Sequence, residues 1–272
     1  MNYLDYLRTD KFPHFWCSGC GNGIVLCAIA RAFEELDLTL ENTVVVTGIG
    51  CWGKADDYVR TNSFHGTHGR ALAFATGIKL ANPSLNVVVL MGDGDGITIG
   101  GNHFIHAARR NVDVTAILVN NFNYGMTGGQ YSGTTPEERI TTTSRYGHIE
   151  EGFDICAVAK AAGARYVARA STENPQQLKN LIRDGIKKQG FACIEAISPC
   201  PTHFGRNNGM RSPAALMRWV RENSVTPAQA AAMSEEELAG KLVMGLICDR
   251  PGEDYSTKYQ HVIEKAQSEV KK

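Results

Sequence analysis

The chain has 272 residues, enough for one large domain or two small ones with a substantial apolar core. Lysine plus arginine and aspartate plus glutamate both number 28, so the net charge indicates neither nucleic-acid binding nor attraction to an anionic membrane. No apolar run approaches the roughly 20 residues of a transmembrane helix, and the first residues lack the apolar segment of a signal peptide, so we expect a soluble cytoplasmic protein.

The first motif in chain order is a C-x-x-C pair, Cys17 and Cys20, bracketed by aromatic and glycine residues. Two thiolates at this spacing can bind one metal ion or cluster, and the glycines relieve the tight loop between them. The pair alone is compatible with three interpretations: half of a zinc site, a redox dithiol or part of an iron–sulfur site. The apolar pattern that follows predicts a helix from about residue 23 to residue 36.

Two further cysteines each follow an apolar, β-branched run that predicts a buried strand. The run TVVVT (43–47) leads to Cys51, and the run FACIEAI (191–197) leads to Cys200. In a doubly wound parallel sheet, ligands bind at the carboxyl ends of the strands. We therefore expect both cysteines at one edge of such a sheet, with the C-x-x-C loop folded over them.

The remaining cysteines give weaker signals. Cys27, Cys156 and Cys193 lie in apolar surroundings, which indicates small buried side chains, and Cys248 gives no clear signal. The other four, with no histidine at ligand spacing, suit either zinc or a [4Fe–4S] cluster. Their spacing in the sequence does not separate these two alternatives.

The most specific motif begins with Gly92-Asp93-Gly94 after an apolar run and ends at Asn120-Asn121 after another, with 25 residues between them (95–119). The glycines let backbone N–H groups approach phosphate oxygens, and the Asp carboxylate can hold a Mg²⁺ ion that bridges them. This spacing resembles the signature of thiamine diphosphate enzymes. A thiamine site favours the cluster over zinc, because a cluster accepts electrons one at a time and zinc has no redox chemistry.

Two loops flank this motif. His68 lies in a glycine-bearing loop before a helix predicted from residue 70 to residue 80, where it either satisfies the helix start or contacts cofactor phosphates or substrate. Residues 121–132 form a glycine-rich loop that is either a surface turn or a phosphate-wrapping loop, in which Tyr124 and Met126 could contact the thiazolium ring. Residues 1–210 are interpreted as the catalytic domain and residues 211–272 as a C-terminal helical extension.

Together the motifs resemble the β subunits of the 2-oxoacid:ferredoxin oxidoreductases over nearly the whole chain. The segments that carry the resemblance are WCSGCG (16–21), GIGC (48–51), FHGTHGRALAFATGIKLANP (64–83), GDGDGITIGGNHFIHAARRN (92–111), NNFNYGMTGGQYSGTTP (120–136) and SPCPTHFGR (198–206). The resemblance implies a thiamine diphosphate-binding α/β fold, a doubly wound, mostly parallel sheet with helices on both faces.

The resemblance also implies the ligands of the site. A [4Fe–4S] cluster is expected on Cys17, Cys20, Cys51 and Cys200, and Mg²⁺ on Asp93, Asn121 and the backbone oxygen of Asn123. Lys54, three positions after the cysteine of GIGC, is expected near the substrate carboxylate, and His68 is a second candidate catalytic residue. The expected cofactor contacts are Ile49, Gly50, Cys51, His68, Gly92, Asp93, Gly94, Asp95, Asn121, Asn123, Gly125, Met126 and Thr127.

The family resemblance further implies partners. An α subunit is expected to supply the glutamate that activates the thiamine ring and most of the coenzyme A site, and ferredoxin is expected to take the electrons. Ser18 and Trp52 depart from the family pattern, which usually has Pro and Ser there, but neither change removes a ligand. Residues 233–247 resemble the 2-oxoglutarate branch more than the pyruvate branch.

We therefore expect CoA-dependent oxidative decarboxylation of 2-oxoglutarate to succinyl-CoA and CO₂. The same chemistry on pyruvate or another 2-oxo acid is the first alternative. The others are a non-redox thiamine decarboxylase, in which the cysteines are incidental, and a non-catalytic iron–sulfur electron-transfer subunit.

Overall fold

The computed structural model describes residues 1–270, and its centre is a seven-stranded sheet. The strand order is β2-β1-β3-β4-β6-β5-β9; the first six strands are parallel to their neighbours, and β9 is antiparallel to β5. The strands are β1 (Thr43–Thr47), β2 (Asn62–His65), β3 (Asn86–Gly92), β4 (Thr115–Asn120), β5 (Tyr166–Ser171), β6 (Ala192–Ile197), β7 (Ser224–Val225), β8 (Leu242–Val243) and β9 (Gly245–Asp249). β7 and β8 form a separate parallel pair.

Helices cover both faces of this sheet, as the crossovers between parallel strands require. The helices are α1 (Asn22–Glu35), α2 (Ala71–Ala81), α3 (Gly101–Arg110), α4 (Ile155–Ala162), α5 (Pro175–Lys187), α6 (Pro213–Glu222), α7 (Pro227–Ala230), α8 (Glu235–Leu238) and α9 (Tyr255–Val270). One apolar core lies between the sheet and α1 and α5, and the other between the sheet and α2, α3 and α4. The predicted doubly wound, mostly parallel architecture is confirmed.

Successive side chains of the central strands enter opposite cores. In β4, Ile117 and Val119 pack in the first core, while Ala116 and Leu118 pack in the second. This alternation follows from the period of two along a strand, and burial on both sides explains why the strand reads as one continuous apolar run. The runs that predicted strands in the sequence are β1, β3, β4 and β6.

The predicted helix boundaries differ from the observed ones by a residue or two. The helix expected from residue 23 to residue 36 is α1, and the one expected from residue 70 to residue 80 is α2. At α5 the side chain of Asn174 accepts a hydrogen bond from Gln177 N, and Pro175 occupies the first helical position. Both are ordinary ways to begin a helix.

The C-terminal segment contains more than the helices that the sequence suggested. Besides α6–α9 it includes three strands, and β9 completes the main sheet beside β5. Ile247 and Cys248 of β9 pack against the second core, so apolar burial joins this segment to the rest of the chain. The description of residues 211–272 as a helical extension was incomplete, and a domain division at residue 210 stays a prediction. Among residues 1–270, no helix is both long and apolar enough to cross a membrane.

Candidate functional site

The carboxyl ends of β3, β4 and β6 lie side by side, and each is followed by a residue of the predicted site. Gly92 of β3 pairs with Val119 of β4, and Asn120 of β4 pairs with Ile197 of β6. Asp93, Asn121 and the segment 198–200 therefore begin at one edge of the sheet. π-helical turns follow at Gly94–Ile99 and Pro201–Gly205, and such turns are frequent at functional sites.

Asp93 is buried and tightly held at this edge. Its Oδ2 accepts hydrogen bonds from Ser132 Oγ at 2.5 Å and Thr134 Oγ1 at 2.6 Å, and its Oδ1 accepts one from Asn121 N at 3.4 Å. Burial raises the pKa of the carboxyl group, and the two hydroxyl donors oppose that rise. A bound divalent cation would supply the charge that a buried carboxylate needs.

The chain turns sharply after β4, between the two asparagines of the expected magnesium site. Phe122 has a φ of 63°, a left-handed conformation that is uncommon for a residue with a side chain. Its N–H donates to Asn120 Oδ1 at 3.1 Å and its carbonyl accepts from Thr135 Oγ1 at 2.7 Å. The turn directs Asn123 inward, where its side chain is buried.

The buried amide of Asn123 has no hydrogen-bond partner on either side-chain atom. An unpaired buried polar group is costly, so it indicates a site completed by a ligand. Asn121 Oδ1 accepts from Asn123 N at 3.2 Å and retains a second lone pair. Carboxylate, amide and carbonyl oxygens are the donors that Mg²⁺ prefers, so this set of residues fits the ion and a diphosphate bound with it.

A second buried carboxylate, Asp95, organises the neighbouring loops. Its Oδ1 lies 2.6 Å from His68 Nδ1 and accepts from Gly69 N at 2.7 Å and Ile49 N at 3.3 Å, while its Oδ2 is buried without a partner. Gly48 is required beneath it, because a Cβ there would lie 2.0 Å from Asp95 Oδ2. Because Asp95 accepts, His68 donates through Nδ1 and Nε2 remains as the other ring nitrogen.

Tyr124 packs against the glycine-rich motif. Its hydroxyl donates to the carbonyl of Gly94 at 3.3 Å, and a Cβ on Gly94 would lie 2.3 Å from the Tyr124 ring. Only glycine therefore permits this approach of ring and backbone. The following loop closes on itself through a bridge between Tyr124 and Gln130, and leaves Met126 and Thr127 exposed.

The expected cluster ligands reach the same edge as the oxygen donors. Cys200 N donates to the carbonyl of Asn121 at 3.2 Å, so the segment after β6 is bonded directly to the segment after β4. A Cβ on Gly125 would lie 3.6 Å from both Cys51 Sγ and Asn123 Oδ1. The thiol of Cys51 thus borders the pocket of the unpaired asparagine.

Three of the four thiols, those of Cys20, Cys51 and Cys200, are partly buried, and Cys17 is exposed. Burial is the largest effect that raises the pKa of Cys20 to about 12 and of Cys51 to about 11, and the neighbouring cysteines of the set also raise both values. In residues 1–270, no three of the four sulfur atoms lie within 4.8 Å of one another.

An aromatic group holds the C-x-x-C loop against the Cys51 segment. Trp16 Nε1 donates to the carbonyl of Cys51 at 2.6 Å, and its ring lies 5.7 Å from that of Trp52 and 5.1 Å from that of Tyr58. The Tyr58 hydroxyl in turn accepts from Phe15 N at 2.9 Å. These contacts fold the loop over the strand end, as the sequence led us to expect.

Lys54 lies on a 3-10 helix, Trp52–Tyr58, that follows Cys51. Its Nζ is 2.7 Å from Asp57 Oδ2, and both side chains are 41% exposed. The hydrogen bond to Asp57 raises the pKa of Lys54, so the side chain is a cation at neutral pH. Its place beside the substrate stays a prediction, as do the cofactor contacts expected of Ile49 and Gly50.

Comparison with known proteins assigns the family. Residues 48–196 match the family described as thiamine pyrophosphate enzyme, C-terminal TPP binding domain. The chain is 49% identical over 268 residues to 2-oxoglutarate synthase subunit KorB of Methanothermobacter marburgensis, covering 98% of this chain and 94% of that protein. It is 51% identical over 266 residues to the KorB subunit of Methanocaldococcus jannaschii, covering 98% of each.

A solved structure is similar over the same length. It is a 2-oxoglutarate:ferredoxin oxidoreductase from Magnetococcus marinus with 2-oxoglutarate, coenzyme A and succinyl-CoA bound. The TM-score is 0.87 at 32% sequence identity, with 98% of this chain and 91% of that chain covered. The chain belongs to the KorB family of 2-oxoglutarate synthase subunits. The expected thiamine diphosphate-binding fold is confirmed.

Several residues of this KorB-family site were not singled out from the sequence. Ser132 and Thr134 hold Asp93, and Thr135 holds the turn at Phe122 by donating to its carbonyl. Their only sequence signal is their position after the second asparagine motif, since hydroxyl residues in a glycine-rich loop are also common in ordinary turns. Outside the site, Cys156 and Cys193 are buried as expected, whereas Cys27 is only partly buried.

Proposed function

We propose that this chain is the β subunit of a 2-oxoglutarate:ferredoxin oxidoreductase. The reaction converts 2-oxoglutarate, coenzyme A and two oxidised ferredoxins into succinyl-CoA, CO₂, two reduced ferredoxins and one proton. The observation that carries the proposal is the bond between Cys200 N and the carbonyl of Asn121. It joins the thiol set to the oxygen-donor set at one sheet edge, within a chain of the KorB family.

In this proposal Asp93, Asn121 and the backbone oxygen of Asn123 hold Mg²⁺ and, through it, the diphosphate of thiamine diphosphate. The buried Asp93 carboxylate and the unpaired Asn123 amide support this assignment. Ser132 and Thr134 orient Asp93 by donating to its Oδ2. The cofactor supplies the nucleophilic carbon chemistry of 2-oxo acid decarboxylation, and a cluster supplies one-electron redox chemistry.

Cys17, Cys20, Cys51 and Cys200 are proposed to bind a [4Fe–4S] cluster. Four free thiols beside a thiamine diphosphate site support a cluster over zinc, because a cluster accepts single electrons and zinc has no redox chemistry. Thiols with a raised pKa must lose protons to bind iron, so cluster assembly releases protons. The aromatic group around Trp16 would restrict water at the side of the cluster that it covers.

His68 and Lys54 are proposed to bind the substrate or cofactor. Asp95 fixes the ring of His68 through Nδ1, which leaves Nε2 to accept a hydrogen bond from an N–H or O–H of the cofactor or substrate. The Lys54 cation would attract a substrate carboxylate once it leaves Asp57.

The α subunit would add the activating glutamate and most of the coenzyme A site. We place the assembled enzyme in the cytoplasm, where ferredoxin would receive the electrons.

An anaerobic assay of the co-expressed α/β complex tests this proposal. Viologen reduction is measured with 2-oxoglutarate, pyruvate and branched-chain 2-oxo acids, each with and without coenzyme A. We expect coenzyme A-dependent reduction that is fastest with 2-oxoglutarate. A complex that reduces viologen faster with pyruvate would contradict the substrate assignment. A colourless, iron-free complex that decarboxylates without reducing viologen would contradict the redox function.

A further inference from the structure

A chain of buried polar side chains runs through the core to the magnesium edge. Glu195 of β6 is 1% exposed and Arg169 of β5 is 3% exposed. Glu195 Oε2 accepts from Arg169 Nε at 2.7 Å, and Glu195 Oε1 accepts from Asn120 Nδ2 at 2.8 Å. The bond to Asn120 extends this buried ion pair to the carboxyl end of β4.

Glu195 determines which way the amide of Asn120 faces. A carboxylate only accepts hydrogen bonds, so it must meet the NH₂ group of the amide. Asn120 Oδ1 is thereby directed away from Glu195, toward Phe122 N at 3.1 Å and Thr134 Oγ1 at 3.1 Å. The reversed amide would place its oxygen against the carboxylate and its NH₂ group against the Phe122 N–H.

The oriented Asn120 oxygen supports the turn that carries two of the oxygen donors. By accepting from Phe122 N it holds the left-handed turn that separates Asn121 from Asn123. An error in the orientation of Asn120 would therefore reach both of these expected ligands of the Mg²⁺ ion.

We propose that Glu195 is a positioning residue for the magnesium–diphosphate site, acting through the amide of Asn120. This inference rests on the proposed function, because it requires Mg²⁺ and thiamine diphosphate at this edge. Groups that hydrogen-bond to a metal's ligands typically change metal affinity by about 10- to 100-fold. Because Glu195 acts through Asn120, which is not a ligand, we expect an effect at the lower end of that range. Glu195 would thus set how much Mg²⁺ the enzyme needs, without touching ion, cofactor or substrate.

Glu195→Gln in the α/β complex is the first test. Glutamine has one accepting oxygen for two donors, Asn120 and Arg169, so the amide of Asn120 loses its fixed orientation. Isothermal titration calorimetry then measures thiamine diphosphate binding over a series of Mg²⁺ concentrations. We expect the Mg²⁺ concentration for half-saturation to rise by about 10-fold, with iron content unchanged and with kcat recovered at high Mg²⁺.

Asp154→Asn is the matched control. Asp154 Oδ1 accepts from Arg169 Nη2 at 2.5 Å, so this variant weakens the same buried ion-pair group but leaves the link from Glu195 to Asn120. Asp154 also caps α4, and asparagine caps helices equally well. We expect its Mg²⁺ requirement to stay within about two-fold of the parent value, even if its melting temperature falls.

A second variant, Asn120→Ala, keeps the Arg169–Glu195 ion pair and removes only the amide. It should show the same increased Mg²⁺ requirement, and it carries the test if Glu195→Gln does not fold. Normal Mg²⁺ dependence in either folded variant would overturn the inference, as would an equal rise in Asp154→Asn. If the parent complex itself binds no thiamine diphosphate with Mg²⁺, the proposed function fails instead.

Discussion

The two ligand sets at the sheet edge are built in different ways. The oxygen donors directly follow neighbouring strands, and the register of β3 with β4 places Asp93 next to Asn121. The thiols come from a loop before α1, from the segment after β1 and from the segment after β6. Cys17 is exposed, whereas Cys20, Cys51 and Cys200 are partly buried.

This difference indicates how much of each site exists before its ligand binds. Asp93 has two short hydroxyl bonds within the chain and needs only a cation to complete its surroundings. Two of the four thiols have pKa values well above the ordinary range, so they must lose protons before they bind a metal. The oxygen set is preorganised, and the thiol set depends more on what it binds.

Asp93→Asn should have the largest effect, because it removes the only carboxylate of the preorganised set. Amide and carboxylate have the same shape, so the fold and the thiol set should be retained. We expect Mg²⁺-dependent binding of thiamine diphosphate to weaken by more than about 100-fold, since loss of an outer partner alone costs about 10- to 100-fold. Calorimetry measures the binding, and iron and sulfide analysis measures the cluster.

Asp113→Asn is the matched control for that variant. Asp113 lies before β4, at the opposite end of the strand, and pairs with Lys79 at 2.6 Å. It should leave cofactor binding unchanged. Loss of iron in Asp93→Asn at normal melting temperature would contradict the separation of the two sets.

Cys200→Ser should produce the converse result. We expect the complex to lose most cluster absorbance and viologen reduction while it still binds thiamine diphosphate with Mg²⁺. Because Cys200 N bonds to the carbonyl of Asn121, the backbone link between the sets survives the change of side chain. A modest weakening of cofactor affinity, up to about 10-fold, is compatible with altered support of Asn121.

Cys27→Ser is the matched control, since it makes the same change at a partly buried thiol outside the set. It should keep iron content and activity. A full cluster in Cys200→Ser, or equal iron loss in both variants, would contradict the ligand assignment.

The strands and their functional ends could be predicted because burial on both faces makes parallel strands continuous apolar runs. The role of Glu195 could not be predicted in this way, because the residue lies inside the apolar run of β6. Its carboxylate is buried and is satisfied by hydrogen bonds to Asn120 and Arg169. Its partners are distant in sequence, so no local pattern pairs them. β9 was not predicted because it is short and only partly buried, so its sequence gives a weak strand pattern. Its pairing with β5 is the tertiary contact that forms the strand.

The cysteine chemistry was predictable in kind but not in geometry. The cysteine spacing alone left zinc and a cluster open, and only the thiamine motif favoured the cluster. The distances between sulfur atoms depend on how the C-x-x-C loop packs on Trp52 and Tyr58. Loop packing of this kind depends on tertiary contacts that local spacing does not encode. The hydroxyl groups that bind Asp93 lie in a loop about forty residues later in the chain. Their contact with Asp93 is therefore also a tertiary contact that local spacing does not encode.

The smallest effect concerns alkylation of Cys51 after iron is removed from the complex by a chelator. Its pKa, raised by burial from 9.0 to about 11, lowers the thiolate fraction at pH 8 by about 100-fold. A more basic thiolate is about 10-fold more nucleophilic, so the net rate with iodoacetamide should be about 10-fold below that of the same cysteine in urea. Mass spectrometry of the Cys51 peptide follows the reaction.

The pH dependence separates this electrostatic effect from simple obstruction of the thiol. A raised pKa keeps Cys51 protonated to higher pH, so the slower reaction of the folded chain should disappear near about pH 10. Above about pH 11 both chains hold thiolates, and the more basic folded thiolate should react up to about 10-fold faster. Obstruction would give a ratio that does not change with pH. With the cluster bound, Cys51 should resist alkylation at every pH, because its sulfur is then an iron ligand. Equal rates in the folded, iron-free complex and in urea at pH 8 would contradict the burial of this thiol and weaken the contrast between the two ligand sets.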